Sequence, residues 1–273
     1  VDIIKMIRAI YLLSFLLLQS FLALAGNVSG NVKENIPSSL DLYVCIGQSN
    51  MAGRATLTSE VMDTLQNVYL LNDKGSFEPA VNPLNRYSTI RKDMSMQRLG
   101  PAYGFAKEMS REVKRPVGLV VNARGGSSIN SWLKGSKDGY YEEAISRIRI
   151  AVQQGGVLKA ILWHQGEADC SKPEAYKQKL ISLMKDLRED LDMPDLPVIV
   201  GQISQWNWTK REVGTVPFNK MIKKVSSFIP NSDWVSSKGL GWYKDETDPH
   251  FNTEGQLLLG KRYAEKVLKF YKH

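Results

Sequence analysis

Short apolar segments alternate along this chain with longer segments in which apolar residues recur at helical spacing. The short segments predict buried strands, because they are continuous in apolar residues and rich in β-branched side chains. The predicted strands cover residues 40–46, 68–71, 117–121, 158–163 and 198–203. The predicted helices cover residues 101–113, 140–154, 173–191, 218–228 and 253–271. The last helix is expected to start at Thr253, which forms the T-x-x-Q pattern of a capping box with Gln256.

The alternation of strands with helices of this length predicts an α/β protein. Such connections are typical of βαβ crossovers, so the strands are expected to lie mostly parallel, with helices on both faces of the sheet. A ligand then lies beyond the carboxyl ends of the strands, where the connecting loops converge. The loops concerned follow Ile46, Val121, Trp163 and Ile203. Residues 72–99 show no strong periodicity and are expected to run over the sheet edge and help to wall the site.

Residues 1–25 have the pattern of an export signal. Lys5 and Arg8 precede an apolar run, and a small-residue sequence that suits cleavage ends at Ala25. An uncleaved membrane anchor is the alternative, but no cluster of charged residues follows the run to stop its transfer. We therefore expect a secreted or periplasmic protein with a signal peptide over 1–25, a linker over 26–39, one domain over 40–273 and no membrane span in the mature chain.

The composition is that of a globular protein with few groups for metal chemistry. The chain has 273 residues, of which 43% are hydrophobic, with a net charge of +8, 3 His and 2 Cys. Its positive charges are spread without a basic block, so nucleic acid is not an expected partner. Three histidines without metal-ligand spacing indicate neither a metal site nor another cofactor. Cys45 lies in a predicted core strand and Cys170 in a loop, a placement compatible with a disulfide or with two free thiols.

The first predicted strand runs into residues 47–53, GQSNMAG, where a candidate nucleophile lies. The glycine allows a sharp turn, so Ser49 is expected at the mouth of the next helix. There its hydroxyl is exposed and its N–H is unpaired, as a nucleophile and half of an oxyanion hole require. The alternative is that Ser49 only caps that helix.

Two further strand ends carry groups that suit a developing oxyanion. Gly125 and Gly126 allow a close approach of the backbone to a ligand, although such a pair also occurs in plain turns. Residues 163–169, WHQGEAD, place an imidazole, an amide and two carboxylates together. Among these, the Gln165 side chain is able to donate a hydrogen bond to an oxyanion.

The small number of histidines narrows the choice of a general base. A serine nucleophile needs an imidazole, which in turn needs a carboxylate to orient it. His273 is the terminal residue, and His164 follows a tryptophan that is expected to be buried. His250 lies on a loop directly before the last predicted helix and is therefore the best candidate base.

Four segments together resemble a known enzyme family. GQSNMAG, the GGS loop, WHQGEAD and the late DPHFNTEGQ are similar, in order and spacing, to carbohydrate esterase family 6 and the related sialic-acid-specific acetylesterases of the SGNH hydrolase superfamily. The resemblance extends from about residue 40 to the C-terminus. It implies a flavodoxin-like three-layer α/β/α sandwich with a mostly parallel central sheet.

The resemblance also implies roles for individual residues. Ser49 would be the nucleophile, His250 the base and Asp248 the residue that orients it. The carboxylate usual in the superfamily lies three residues before the histidine, where this chain has Thr247, so Glu167 is a second candidate for the orienting acid. The implied oxyanion hole comprises Ser49 N–H, the N–H of Gly126 or Gly125, and Gln165. The residues expected to bind substrate are Gln48, Asn50 and Arg54.

The sequence thus predicts a secreted serine esterase that removes O-acetyl groups from carbohydrate through an acyl-enzyme. An acetylated polysaccharide or oligosaccharide, with acetylxylan first, is the expected substrate. The alternatives are a sialate O-acetylesterase, a general esterase, or a catalytically silent carbohydrate-binding protein of the same fold. Tryptophans that could stack on sugar rings are Trp132, Trp206, Trp208 and Trp242. The complete set of nucleophile, base, acid and oxyanion donors favours an enzyme.

Overall fold

One sheet of seven strands forms the centre of the residues that the computed structural model describes, 36–206 and 212–271. The strands are β1 (Leu40–Gly47), β2 (Val68–Leu71), β3 (Phe77–Pro79), β4 (Val117–Ala123), β5 (Gly156–His164), β6 (Val198–Gly201) and β7 (Ser232–Val235). Their order in the sheet is β3-β2-β4-β1-β5-β6-β7. Every neighbouring pair is parallel except β2 and β3, which are antiparallel. The predicted export segment, 1–25, lies outside the described residues.

Helices cover both faces of this sheet. They are α1 (Ser49–Ala52), α2 (Pro101–Glu112), α3 (Tyr140–Gln153), α4 (Pro173–Asp190), α5 (Glu212–Ile222) and α6 (Thr253–Leu268). One core cluster joins one face of the sheet to α3, α4 and α5, and a second joins the other face to α2 and α6. None of the described helices has the length and apolar character that crossing a bilayer requires. The predicted α/β/α sandwich with a mostly parallel sheet is confirmed.

The middle strand β1 shows why the apolar pattern predicts this arrangement. All its residues are buried, as expected for a parallel strand covered on both faces. Successive side chains point to opposite faces, so Leu42 and Val44 join the first cluster, whereas Tyr43 and Cys45 join the second. The carboxyl end of β1 therefore lies at the centre of the sheet edge, between the ends of β4 and β5.

Several element boundaries differ from the prediction. The helix expected over 218–228 begins at Glu212, continues through Pro217 and ends at Ile222, and a 3-10 turn follows at Val225–Ser227. Strand β6 ends at Gly201, two residues before the predicted end. The edge strands β3 and β7 were not predicted, because both are short and carry partly exposed polar residues.

The start of α6 is correctly predicted, but the predicted capping box is wrong. Asn252 is the N-cap, and its side chain accepts a hydrogen bond from Gly255 N–H at 2.8 Å. Thr253 donates its hydroxyl to the Thr56 carbonyl instead, and Gln256 Nε2 donates to the Asn50 side chain. The polar start of this helix is thus connected to the segment that carries the candidate nucleophile.

The two cysteines do not form a disulfide. Cys45 and Cys170 are both buried thiols outside any disulfide, each about 1% exposed or less. They belong to the two different core clusters, on opposite faces of the sheet. The question left open by the sequence is therefore answered in favour of free thiols.

Candidate active site

The loops that follow β1, β4 and β5 meet at one edge of the sheet. Gln48 N–H donates to the His164 carbonyl at 2.9 Å, and Arg124 N–H donates to the Gly47 carbonyl at 3.0 Å. Gly47 has a φ of +140°, and a Cβ at this position would lie 2.1 Å from the His164 carbonyl oxygen. Only glycine fits at this point, where two segments of the chain cross. The turn delivers the next residues, 48 and 49, to the mouth of α1.

Ser49, His250 and Asp248 form a continuous chain of hydrogen bonds. Ser49 Oγ lies 3.0 Å from His250 Nε2, and His250 Nδ1 lies 2.7 Å from Asp248 Oδ1. An ionised carboxylate only accepts, so it holds the proton on Nδ1 and leaves the Nε2 lone pair facing the serine. The arrangement is that of a nucleophile, a general base and an orienting acid.

The two-residue spacing between Asp248 and His250 is compatible with this role. Asp248 Oδ1 also accepts the backbone N–H of His250 at 2.9 Å, a local turn in which an aspartate bonds the residue two positions later. Thr247, at the position usual for the acid, instead bonds Asp245 through both its N–H and its hydroxyl. The carboxylate is thus fixed from within its own loop.

Ser49 does not act as a helix cap. The N-cap position of α1 is Gln48, which makes no side-chain capping bond, and the Ser49 hydroxyl contacts His250. Within the described residues, the N–H groups of Ser49, Gly125 and Gly126 bond to no acceptor. A Cβ on Gly125 would lie 3.7 Å from the Ser49 Cβ, so this glycine passes close to the serine. These N–H groups are therefore available to a ligand.

Gln165 does not lie where the resemblance implies. It is fully buried, and its Nε2 already donates to three acceptors: Gln48 Oε1 at 3.0 Å, the Ser127 carbonyl at 3.1 Å and Asp169 Oδ2 at 2.6 Å. The predicted role of its side chain as an oxyanion donor is wrong, because both of its N–H bonds are taken up inside the protein. Gln165 instead ties the three loops together.

Glu167 and Asn50 are also placed away from their predicted roles. Glu167 Oε1 accepts a hydrogen bond from Asn50 Nδ2 at 2.6 Å and makes no bond to His250. The carboxylate that bonds the His250 ring is therefore that of Asp248, and the carboxylate of Glu167 bonds Asn50. Asn50 is fully buried, and both ends of its amide are bonded within the protein, so the prediction that it binds substrate is wrong.

Burial disfavours the charged forms of His164 and Glu167. Desolvation lowers the pKa of His164 to about 3, and its Nδ1 lies 3.1 Å from the Tyr263 hydroxyl. His164 is thus a neutral structural residue. Desolvation likewise raises the pKa of Glu167 to about 7, although the bond from Asn50 favours the ionised form. No group of His, Cys, Asp or Glu suited to holding a metal ion occurs among the described residues.

Arg54 brings a positive charge to the site. Its Nη1 donates to the carbonyls of Gly53 at 2.7 Å and Met96 at 2.9 Å. A Cβ on Gly125 would lie 2.1 Å from Arg54 Nη2, so this nitrogen borders the same glycine as Ser49. No ion pair of Arg54 with a carboxylate is formed within the described residues. Met96 belongs to the 72–99 excursion, which therefore borders the site as expected.

The tryptophans differ in their access to a sugar. Trp132 is fully buried and donates its Nε1–H to Ser127 Oγ at 3.0 Å, and Trp206 is 2% exposed. Neither ring is open to stacking. Trp242 is 40% exposed and pairs with Phe251, next to His250. Trp208 lies outside the described residues.

Comparisons with known proteins identify a matching family, a related sequence and similar solved structures. The family described as carbohydrate esterase, sialic acid-specific acetylesterase, matches residues 39–269. A curated Arabidopsis thaliana protein, "Probable carbohydrate esterase At4g34215", is 28% identical over 263 residues, covering 89% of this chain and 95% of the plant protein. The X-ray structure of the A. thaliana protein AT4G34215 matches with a TM-score of 0.74 at 27% identity, over 85% of this chain and 99% of that chain. The crystal structure of NanS has a TM-score of 0.66 at 16% identity, over 86% of this chain and 98% of that chain, and shares the fold.

Proposed function

The chain belongs to the sialic-acid-specific acetylesterase family of carbohydrate esterases and is a carboxylic ester hydrolase, and from this membership we propose that it removes O-acetyl groups from carbohydrate through an acyl-enzyme on Ser49. The observation that carries the proposal is the hydrogen-bonded chain from Ser49 Oγ through the His250 imidazole to Asp248. A silent binding protein has no need for this alignment. The further proposal of export through residues 1–25 rests on the sequence pattern alone, and N-terminal sequencing of the protein recovered outside the cytoplasm tests it.

The proposed reaction uses the Ser49 hydroxyl as nucleophile and the His250 imidazole to move the proton at each step. His250 Nε2 takes the proton from Ser49 Oγ as the oxygen attacks the acetyl carbonyl carbon. The tetrahedral intermediate collapses, the bond between the acetyl carbon and the sugar oxygen breaks, and His250 returns the proton to the departing sugar hydroxyl. Water then attacks the acetyl-serine with His250 as base, which releases acetate and restores Ser49.

The oxyanion hole that we propose rests on backbone groups. The N–H groups of Ser49, Gly125 and Gly126 bond to no acceptor within the described residues, Gly125 passes close to the Ser49 side chain, and such N–H groups suit the developing negative charge. Gln48 is a candidate for a further donor. Its Oε1 is held by Gln165 Nε2 and by Gly166 N–H, while its Nε2 makes no bond within the described residues. This replaces the side-chain donation first assigned to Gln165.

Positive charge around the site favours an acidic sugar as the substrate. This matches the second candidate that the sequence left open, a sialate O-acetylesterase. Arg54 presents a guanidinium beside Ser49 and Gly125 without an acidic partner among the described residues. Arg98 and Lys244 add positive charge, since they act on the pKa values of Arg54 and His250, respectively. Acetylxylan has a neutral backbone and makes no use of this charge. An acetylated sialic acid carries a carboxylate that does.

An assay panel tests the proposed function directly. We expect the wild-type protein to release acetate from acetylated sialic acid, from acetylxylan fragments or from both, and to cleave 4-nitrophenyl acetate. Enzymatic detection of acetate measures each rate, with Ser49→Ala as the blank. A wild-type protein that releases no acetate from any of the three would contradict the proposal.

Replacing Arg54 should separate acidic from neutral substrates. We expect Arg54→Gln to raise the KM for acetylated sialic acid by roughly tenfold or more, because a charged hydrogen bond contributes about 1.5–3 kcal/mol. The kcat/KM for 4-nitrophenyl acetate should stay within about threefold, since that ester has no carboxylate. Arg98→Gln is the control: Arg98 is exposed, so solvent screens its charge and the effect should be smaller. Equal losses on both substrates would show that Arg54 only holds the loop at Met96.

A further inference from the structure

The side chain of Asn50 connects the two halves of the candidate active site. It follows Ser49 directly in α1, is fully buried, and makes hydrogen bonds from both ends of its amide. Asn50 Nδ2 donates to the Pro249 carbonyl at 3.0 Å, and its Oδ1 accepts from Phe251 N–H at 3.1 Å. One side chain thus holds the peptide groups on both sides of His250.

The orientation of this amide is fixed by two other buried residues. Glu167 Oε1 accepts the second N–H of Asn50 at 2.6 Å, and Gln256 Nε2 donates to Asn50 Oδ1 at 3.1 Å. A carboxylate oxygen attracts the donor end of an amide, so Glu167 selects the Nδ2 end. The Oδ1 end must then face Phe251 N–H. A flipped amide would set two donors against each other at that position.

We propose that Asn50, oriented by Glu167, is a positioning residue that sets the separation between the His250 imidazole and the Ser49 hydroxyl. The inference rests on the proposed hydrolysis at Ser49 and adds a role for two residues that do not touch the reacting atoms. On the other side of the loop, Tyr243 N–H donates to the His250 carbonyl at 2.8 Å. Asn50 therefore links this loop to the nucleophile helix through both peptide groups of His250.

Kinetic measurements on Asn50→Ala test the proposal. We expect kcat for 4-nitrophenyl acetate to fall by about 10²-fold, because a displacement of about 1 Å in a reacting group costs about that much. KM should stay within about twofold, since Asn50 does not face the substrate. Asn50→Asp keeps the shape of the side chain but loses the donation to Pro249, so we expect the same fall of kcat. This variant takes the place of Asn50→Ala if the alanine variant does not fold. A wild-type kcat in either folded variant overturns the proposal.

Variants of Glu167 distinguish positioning from acid catalysis. Glu167→Gln retains an oxygen that accepts from Asn50, so kcat should stay within about threefold of the wild-type value. Glu167→Ala removes the acceptor, and kcat should fall by about tenfold or more. If Glu167→Gln is as inactive as Glu167→Ala, the carboxylate itself is needed and the proposal is wrong.

Asn219 is a matched control for the loss of buried hydrogen bonds. This asparagine is 4% exposed and holds both the N–H and the carbonyl of Ile203, at 3.0 and 2.8 Å. Asn219→Ala therefore removes a similar pair of buried bonds away from His250. We expect a comparable loss of thermal stability with an unchanged kcat. An equal fall of kcat in Asn219→Ala would show that activity follows global stability, against the proposal.

A spectroscopic measurement separates this inference from the proposed function. The chain has 3 histidines, so imidazole ¹H–¹⁵N spectra are simple to assign. The ¹⁵N shift of His250 Nε2, which faces the Ser49 hydroxyl, should move in Asn50→Ala toward its value in Ser49→Ala and stay at the wild-type value in Asn219→Ala. An unmoved Nε2 shift in Asn50→Ala would contradict the inference even if the wild type were inactive on acetyl esters.

Discussion

Ser49→Ala should hydrolyse acetyl esters at a rate roughly 10³- to 10⁶-fold below that of the wild-type protein. The variant lacks the oxygen that would form the acyl-enzyme, while the backbone N–H groups of the oxyanion hole remain. Acetate release under saturating substrate gives kcat directly. A fluorophosphonate, which reacts with activated serines, should add one label to the wild-type protein at Ser49 and none to the variant, as read by mass spectrometry.

The matched control is Ser232→Ala. Ser232 is 7% exposed, as Ser49 is, and bonds the Ile229 carbonyl away from the site. It should keep the wild-type rate and the label. The nucleophile assignment would be wrong if Ser49→Ala kept its activity, or if the label appeared on another serine.

Asp248→Asn should lower kcat by roughly 10²- to 10⁴-fold with little change in KM. An asparagine offers an N–H as well as an oxygen to His250 Nδ1, so it no longer selects the tautomer whose Nε2 accepts the serine proton. The effect should far exceed that of Glu167→Gln, because Asp248 Oδ1 lies 2.7 Å from the ring nitrogen, whereas Glu167 bonds Asn50. The reverse ranking would transfer the orienting role to Glu167.

The same variant should shift the pH profile in a defined direction. Burial lowers the pKa of His250 below its ordinary value of 6.5, assisted by Arg54 and Lys244, while Asp248 opposes the shift. Only the neutral imidazole accepts a proton, so kcat/KM should fall as the pH drops through this lowered pKa. Without the carboxylate that favours the charged form, the acid limb of the residual activity should move to lower pH in Asp248→Asn.

Asp245→Asn is the control for this profile. Asp245 lies in the same loop, but its carboxylate is exposed and bonds Thr247 rather than the imidazole. Its removal should leave both the rate and the acid limb close to those of the wild type. An acid limb that does not move in Asp248→Asn would contradict the geometry described for His250.

The apolar pattern predicts the centre of the sheet better than its edges. Residues 68–71 are correctly predicted as a strand because their apolar run is bounded by polar residues on both sides. Strand β7 was missed because Asp233 and the partly exposed Trp234 interrupt any apolar run. Helix α5 was predicted over 218–228, too late along the chain, whereas it begins at Glu212 and continues through Pro217. At such positions, tertiary packing outweighs local preference.

The candidate site was predictable where one residue type is scarce and ambiguous where polar residues crowd together. With three histidines in the chain, the choice of His250 follows by elimination, and its nearest upstream carboxylate, Asp248, lies within hydrogen-bond distance of the ring. Asn50, Gln165 and Glu167 were assigned to substrate, oxyanion and acid roles because their residue types allow them. A sequence lists donors and acceptors but does not show which of them are already paired, and burial decides that pairing.

The nucleophile and its base lie 201 residues apart in the chain, and they meet only when α6 has docked beside α1. A nascent chain that has emerged as far as β7 contains Ser49, Asn50 and the glycine loop, but it lacks His250, the candidate base for the serine proton. We therefore expect catalysis to begin only with the last helix in place. The onset of ester hydrolysis during synthesis or refolding is thus a direct reporter of complete folding, and a chain truncated before residue 250 is expected to remain catalytically silent.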